Sequence, residues 1–227
     1  TDIGLSSVIN MPIFNAVLVD TNNDGWLDIF IAGYRSGNFI AESQGGIFTD
    51  DAIYEVKGRG DEILALALTF GDIDKDGDLD AALGNWAAGW YRRIPGEESR
   101  NRLIFNSGGH LNGEKSADLP GLPGETLSIL LTDLNMDRHL DLLVGNDFEL
   151  PDAYYYGRGD GSFQQIKRAD AIIPFSTTTT MALKTGDLNN DGTPELYIAQ
   201  IAGRASGLSA RLTIGDIKLY WSNIWLL

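Results

Sequence analysis

The sequence has no cysteine and only two histidines in 227 residues. Disulfides, thiolate metal centres and thiol nucleophiles are therefore excluded, and nucleophile–base pairs built on histidine are scarce. No G-x-S-x-G elbow is present, so the serine-hydrolase signature is missing as well. Long apolar runs are also absent. The longest, Ile63–Leu68 followed by Thr69 and Phe70, is far short of the roughly 20 residues of a membrane helix. The first residues carry neither the basic stretch nor the apolar core of a secretory leader. They are read as the start of a mature chain, of a piece of a longer one, or of an intracellular protein. Basic residues are few: 17 Lys and Arg stand against 32 Asp and Glu, for a net charge of −15. That balance argues against sequence-independent binding to nucleic acid, which needs cations on phosphates, and against anionic lipid surfaces. A hydrophobic fraction of 43% is enough to build a core, and the length fits one domain of ordinary size.

What is present in excess is acid, and it is patterned. Four stretches share one arrangement: Asp20–Asp28, Asp72–Asp80, Asp133–Asp141 and Asp187–Glu195, spaced by 52, 61 and 54 residues. A period in the fifties is too long for a helical-pair repeat and suits a unit of four short strands. Each stretch is preceded by an apolar or alternating run (Ile13–Val19, Leu64–Phe70, Ser128–Leu131, Met181–Thr185). Each is followed by another (Ile29–Ala32, Ala81–Gly84, Leu142–Gly145, Leu196–Ala199). These runs are short, rich in β-branched residues, Leu and Ala, and bounded by Gly, Asn and Asp, so they predict strands and make each acidic stretch a hairpin loop. The continuously apolar ones predict strands buried on both faces.

Two further strands are expected per unit. In unit one they are Asn38–Glu42 and Gly46–Asp50; in unit two, Asn101–Phe105 and His110–Asn112. In unit three they are Ala153–Tyr156 and Ser162–Ile166; in unit four, Arg211–Ile214 and Ile217–Trp221. Four-stranded units repeated radially make an all-β fold, the β-propeller. One propeller domain is expected over 1–227, with units of about 11–60, 61–120, 121–175 and 176–227.

Counted from the first Asp, side-chain oxygens fall at positions 1, 3, 5 and 9 of every loop. They are Asp20, Asn22, Asp24 and Asp28; Asp72, Asp74, Asp76 and Asp80; Asp133, Asn135, Asp137 and Asp141; and Asp187, Asn189, Asp191 and Glu195. A plain turn is satisfied by about two such residues; four at fixed spacing point to a cation. An all-oxygen set favours calcium, which takes 6–8 oxygens in irregular geometry, over zinc, copper or magnesium. The position-7 carbonyl of Trp26, Asp78, His139 or Thr193 would add a ligand. Gly25, Gly77 and Gly192 at position 6 permit the bend that a Cβ opposes. An EF-hand is excluded because it needs Glu at position 12 and flanking helices, whereas position 12 is Ile31, Leu83, Val144 and Ile198. Up to four ions are expected. Loop two, with four carboxylates, is the strongest site. Loop three, where Arg138 replaces Gly, is the weakest. The His139 side chain is expected to point outward.

The pattern Asp-x-Asp/Asn-x-Asp-Gly-x-Leu-Asp followed by an apolar strand resembles the FG-GAP/VCBS repeats of calcium-binding β-propellers, as in integrin α heads and cartilage acidic protein-like proteins. Asn101–Asn106 with Gly108-Gly109, Gly159–Phe163 and Phe48–Asp50 are similar to outer-strand elements of that family. Its propellers commonly have seven or eight blades, and Thr1–Ile3 resembles the end of a preceding one. The resemblance implies a non-catalytic, calcium-stabilised module that binds a protein or glycan outside the cell, at its surface or in the periplasm. It also admits a subunit of a larger assembly. Trp86, Trp90, Tyr91, Arg92 and Arg93 carry the residue types that dominate binding hot spots, while Tyr154–Tyr156 are expected to fill space between units. The alternative is a calcium-dependent lyase or hydrolase acting on acidic polysaccharide, for which no constellation of catalytic residues stands out.

Overall fold

The computed structural model describes residues 5–8, 10–57, 64–86, 96–147, 150–167, 180–200 and 224–225. Unit one comprises β1 (Ile13–Val19), β2 (Asp28–Gly33), β3 (Asn38–Ala41) and β4 (Ile53–Glu55). Unit two comprises β5 (Ala65–Gly71), β6 (Asp80–Asn85), β7 (Arg102–Asn106) and β8 (Leu111–Asp118). Unit three comprises β9 (Thr126–Thr132), β10 (Asp141–Asn146), β11 (Ala153–Gly157) and β12 (Phe163–Gln165). Unit four comprises β13 (Thr180–Gly186), β14 (Glu195–Gln200) and β15 (Ile224–Trp225). Among the described residues each unit is one antiparallel sheet with its strands in chain order, four strands in units one to three and three in unit four. Helix among the described residues is limited to single turns at Asp50–Ala52 and Glu97–Ser99.

The hairpin that carries each acidic loop follows directly from the apolar pattern. The second strands read DIFIAG, DAALGN and DLLVGN, and are buried along nearly their whole length. They are sandwiched on both faces, as continuous apolar strands must be. Every first strand also slips register near its start, at Ile13/Asn15, Ala65/Ala67, Thr126/Ser128 and Thr180/Ala182. One bulge per unit bends the strand and increases its twist.

Successive units pack face to face. Phe30 and Ile40 of unit one meet Leu83 and Ile104 of unit two, with Phe30 and Phe70 edge to face at 5.4 Å. Ala82 and Leu103 of unit two meet Leu142, Val144 and Tyr155 of unit three. Leu143 and Tyr154 of unit three meet Leu183, Leu196 and Ile198 of unit four. The first strands of consecutive units lie side by side. Tyr154 and Tyr155 thus fill inter-unit space, as expected, and Tyr155 Oη donates to Pro120 O at 2.8 Å. The outer flank of unit one is covered by Leu5, Val8 and Met11, which pack on Ile31 and Ala41. That segment is tied down by Ser6 Oγ and by Ser7 N (2.9 Å), both donating to Asp50.

The outer strands depart from expectation in two places. In unit one the Gln44–Ile47 turn makes only an isolated bridge, and the fourth strand is Ile53–Glu55 rather than Gly46–Asp50. Tyr54 and Ile53 pack there, whereas Gly45 and Gly46 adopt positive φ and end the pairing. In unit two the last strand runs to Asp118, well beyond Asn112. In unit four, Ile224–Trp225 pairs with Tyr197 and Leu196. The segments 211–214 and 217–221 lie outside the described residues, as do Thr1–Ile3. No helix of the described residues is long and apolar enough to cross a membrane.

Candidate metal centre

All four acidic loops take one conformation. Position 4 (Asn23, Lys75, Met136, Asn190) and position 6 (Gly25, Gly77, Arg138, Gly192) both have positive φ. This turns the amides of positions 5, 6 and 7 inward onto the acids at the loop's start. In loop one, Asp24 N donates to Asp20 Oδ1 (3.2 Å) and Asn22 Oδ1 (3.0 Å), Gly25 N to Asp20 Oδ2 (2.9 Å), and Trp26 N to Asp24 Oδ1 (2.8 Å). In loop two, Asp76 N reaches Asp74 Oδ1, Gly77 N reaches Asp72 Oδ2 and Asp78 N reaches Asp76 Oδ1. Loop four repeats the set with Asp191, Gly192 and Thr193 donating to Asp187, Asn189 and Asp191. Loop three does too: Arg138 accepts φ +69 and its amide still reaches Asp133 Oδ2 at 2.8 Å. The Arg-for-Gly departure therefore costs backbone strain rather than a different loop.

Position 9 does more than the sequence reading gave it. Asp80 is fully buried. Its Oδ2 accepts Ile73 N (3.0 Å) from within the loop and its Oδ1 accepts Asn106 N (2.8 Å) from the third strand. Asp28 does the same with Thr21 and Ser43, and Asp141 with Leu134 and Gly157. Glu195 spans Leu188 N and Asn189 Nδ2, so its longer side chain keeps the loop contact. Asp28, Asp80 and Asp141 are thus each a brace between the loop and the following hairpin. A carboxylate has about four lone-pair sites, so two N–H bonds leave the oxygens capable of a further ligand. Burial pushes Asp80 up to about 6, against the pull of the Asn106 and Ile73 amides. Burial also raises Asp141 and, with Asp76 nearby, Asp74.

Loop two is where carboxylates converge. Oxygens of Asp72, Asp74 and Asp80 all lie within 4.8 Å of one another. Asp72 Oδ1 is buried and has no hydrogen-bond partner. A buried carboxylate oxygen without a donor is costly, and a divalent cation held by these three acids would satisfy it; the residues fit calcium's donor preference. In loops three and four an amide does part of that work. Asn135 Nδ2 donates to Asp137 Oδ2 and Asn189 Nδ2 to Asp191 Oδ2, both at 2.9 Å.

The family model for the FG-GAP-like repeat matches residues 20–83 and 133–198, more than half of the chain. The chain belongs to the FG-GAP-like repeat family. No curated protein matches it. The two matched segments contain all four acidic loops, so the recurring oxygens fall within the family repeat.

The FG-GAP-like loops are also cross-linked to their neighbours. Asn23 Nδ2 of loop one donates to Asp78 Oδ1 of loop two at 2.8 Å, and Asp78 Oδ2 accepts Gly108 N at 2.7 Å. Asn106 Nδ2 donates to Thr21 O at 2.7 Å. Gly109 has φ +83, and a Cβ there would stand 3.1 Å from Asn22 Cα, so glycine favours the close approach of the unit-two hairpin. One unit further on, Gly161 N donates to Ile73 O at 3.1 Å. The outer hairpins of units two and three thus seat on the loop of the preceding unit. At the opposite ends of the strands, a buried chain joins Asn101 Nδ2, Thr126 Oγ1 and Asn146 Oδ1 at 2.9 Å per step. It extends through Asp152, which accepts Asn146 N and Thr180 Oγ1. No signal marks these links in the sequence beyond isolated Asn and Thr at strand ends.

Among the other sequence candidates, His139 Nδ1 is 3.7 Å from Asp137 Oδ1, with its ring against the unit-three hairpin at Gly159. Trp86 is half-buried and makes an edge contact with Phe14 of unit one at 6.5 Å, a packing role between units. Trp90, Tyr91, Arg92 and Arg93 lie outside the described residues.

Proposed function

We propose that the chain is a non-catalytic, calcium-stabilised interaction module whose units stand side by side as propeller blades. It acts outside the cell, at its surface or in the periplasm, where a protein or glycan partner is met. The observation that carries this reading is the convergence of Asp72, Asp74 and Asp80 around a buried, unpartnered Asp72 oxygen. Calcium bound there would neutralise the acids and lock the loop between strands β5 and β6. Sites built from such loops fill where calcium is millimolar, which supports an extracytoplasmic setting. The seating of the unit-two and unit-three hairpins on the preceding loops means that an ordered loop also orders the next unit, leaving the unit surfaces as a rigid platform for a partner. Membership of the FG-GAP-like family supports an interaction role.

The test is thermal unfolding with calcium and with chelator. An ion at a hundredfold excess over its Kd stabilises the native state by about 2.7 kcal/mol, so chelator lowers the melting temperature and calcium restores it. Asp76→Ala removes a ligand of loop two and should reduce that calcium-dependent increment. A transition that is the same in chelator and in calcium overturns the reading. Release of reducing ends or unsaturated products from acidic polysaccharides overturns its non-catalytic part.

A further inference from the structure

Two of the three internal seams are closed by a threonine hydroxyl. A polar residue stands at the start of each third strand: Asn38, Asn101 and Asp152 in units one to three. Each lies on the side of its strand that also carries Ile40, Leu103 or Tyr154, and so faces the next unit. Asn101 Nδ2 donates to Thr126 Oγ1, and Asp152 Oδ2 accepts Thr180 Oγ1. Thr126 Oγ1 also donates to Asn146 Oδ1, so one hydroxyl joins two asparagine side chains across the seam. Thr126 and Thr180 hold the same repeat position, paired with Asn146 and Gln200. In unit two that position is Ala65, paired with Asn85.

The seam between units one and two therefore has the two asparagines without the hydroxyl. Asn38 is 1% exposed, and neither its Nδ2 nor its Oδ1 has a partner. Asn85 is 2% exposed; its Nδ2 donates to Arg100 O at 2.7 Å, and its Oδ1 has no partner. Asn38 Nδ2 and Asn85 Oδ1 correspond by repeat position to the two atoms that Thr126 Oγ1 joins. Asn38 Oδ1 is left over for a separate reason. Asn85 N and Asn146 N donate to Asn101 Oδ1 and Asp152 Oδ1, whereas Gly33 N donates to Gly37 O instead. Buried polar atoms left unpaired in this way are costly.

Packing at the seam is adjusted to match. Where the hydroxyl is present, a glycine faces the threonine: a Cβ on Gly84 or Gly145 would stand 2.6 Å from Thr126 Cγ2 or Thr180 Cγ2. Between units one and two the same pair is Ala32 and Ala65, both fully buried in one cluster. The Ala32 methyl replaces the threonine methyl, and the pair is smaller than Gly and Thr by the one oxygen. We infer that a single buried water molecule takes the part of that oxygen, accepting from Asn38 Nδ2 and donating to Asn85 Oδ1. Buried waters make about three hydrogen bonds to groups of this kind, and Asn38 Oδ1 supplies a further acceptor. A donor among the lining atoms suits water rather than a cation, which accepts no hydrogen bond. The inference is independent of calcium.

The experiment is a crystal structure of the full chain at a resolution that shows ordered waters, paired with urea unfolding and oxygen-17 relaxation dispersion. The wild type should show one density peak within hydrogen-bond distance of both Asn38 Nδ2 and Asn85 Oδ1. In Ala65→Ser the new Oγ should replace that peak, about 2.9 Å from each asparagine, as Thr126 Oγ1 is. The variant should contain one long-lived internal water fewer in solution and unfold at the wild-type urea midpoint or above it. Ala32→Gly combined with Ala65→Thr rebuilds the pair of the next seam and should give the same result, which covers a serine variant that folds poorly. A wild-type structure with no peak between the two asparagines, or an internal water count unchanged in both variants, overturns the inference. So does a serine that lowers the midpoint and turns its Oγ away from both asparagines.

Discussion

Asp80 provides a quantitative test of how the loops are held. It is fully buried, and burial raises its carboxyl from 3.8 to about 6 in the absence of an ion. A raised folded-state value means that the native protein holds this proton more tightly than the unfolded chain. Its contribution is neutral below the unfolded value of 3.8 and becomes destabilising as pH rises through the interval up to about 6. A shift of roughly two units corresponds to about 3 kcal/mol at full ionisation, at 1.36 kcal/mol per unit. About 2 kcal/mol of that should develop between pH 4 and pH 7. The perturbation is Asp80→Asn, which cannot titrate, and the assay is urea unfolding of both proteins across that range in chelator. The variant carries a fixed penalty, because an amide offers one acceptor where the carboxylate serves both Ile73 N and Asn106 N; an orphaned buried N–H costs about 1–3 kcal/mol. The difference between wild type and variant should therefore move in the variant's favour by about 2 kcal/mol as pH rises. In calcium the trend should flatten or reverse, because an adjacent cation favours the carboxylate. A difference that does not vary with pH in chelator would refute the claim that burial governs this group.

Three further substitutions probe other parts of the argument. Arg138→Gly relieves a left-handed residue, worth about 1–2 kcal/mol, against about 0.5–1 kcal/mol of glycine entropy; the expected net gain of roughly 0.5–1 kcal/mol would appear in urea unfolding, and a loss would show that loop three is unstrained. Asn106→Ala strands the buried Thr21 carbonyl that its side chain serves and should cost about 1–3 kcal/mol while weakening the link between units one and two, readable as faster amide exchange in loop one. Leu143→Ala, fully buried between units three and four, should cost about 2–5 kcal/mol by chemical denaturation, and a cost below 1 kcal/mol would mean that those units do not share a packed face.

The hairpins that carry the loops were legible to within one or two residues at each end, because their second strands are apolar on both faces and the loops between the strands are densely marked. The outer strands were not. Leu111–Asp118 reads LNGEKSAD and is mostly exposed beyond its first residues, so an edge strand with one wet face leaves little apolar period to read. In unit one, Gly45-Gly46 marked a turn correctly but not its consequence, since the chain makes a single bridge there and resumes pairing only at Ile53. The ligand positions were legible as a pattern of oxygens. The second role of position 9 was not, because its partners, Ser43, Asn106 and Gly157, lie 15 to 26 residues away along the chain. Positive φ at position 4 was also hidden, since Lys75 and Met136 are not residues that advertise it.

The acidity of the chain acquires a structural meaning from where its few cations go. Arg100 pairs with Glu97 and Arg102 with Asp118, both away from the loops, although 13 of the 32 acids occupy the loop positions. The loops are instead held by backbone amides, which satisfy carboxylate oxygens without neutralising them. In loops three and four an asparagine amide adds a donor between neighbouring acids. Loop two has Asp74 at that position, so no side-chain donor separates it from Asp72 and Asp80, and one oxygen is left buried without a partner. Like charges this close repel by several kcal/mol at the effective dielectric of a protein surface. A single substitution of amide for acid at position 3 thus separates loops that can hold their shape on hydrogen bonds from the one that most needs a cation. On that reasoning the calcium dependence of the fold should be concentrated at Asp72–Asp80 rather than shared equally among the four repeats.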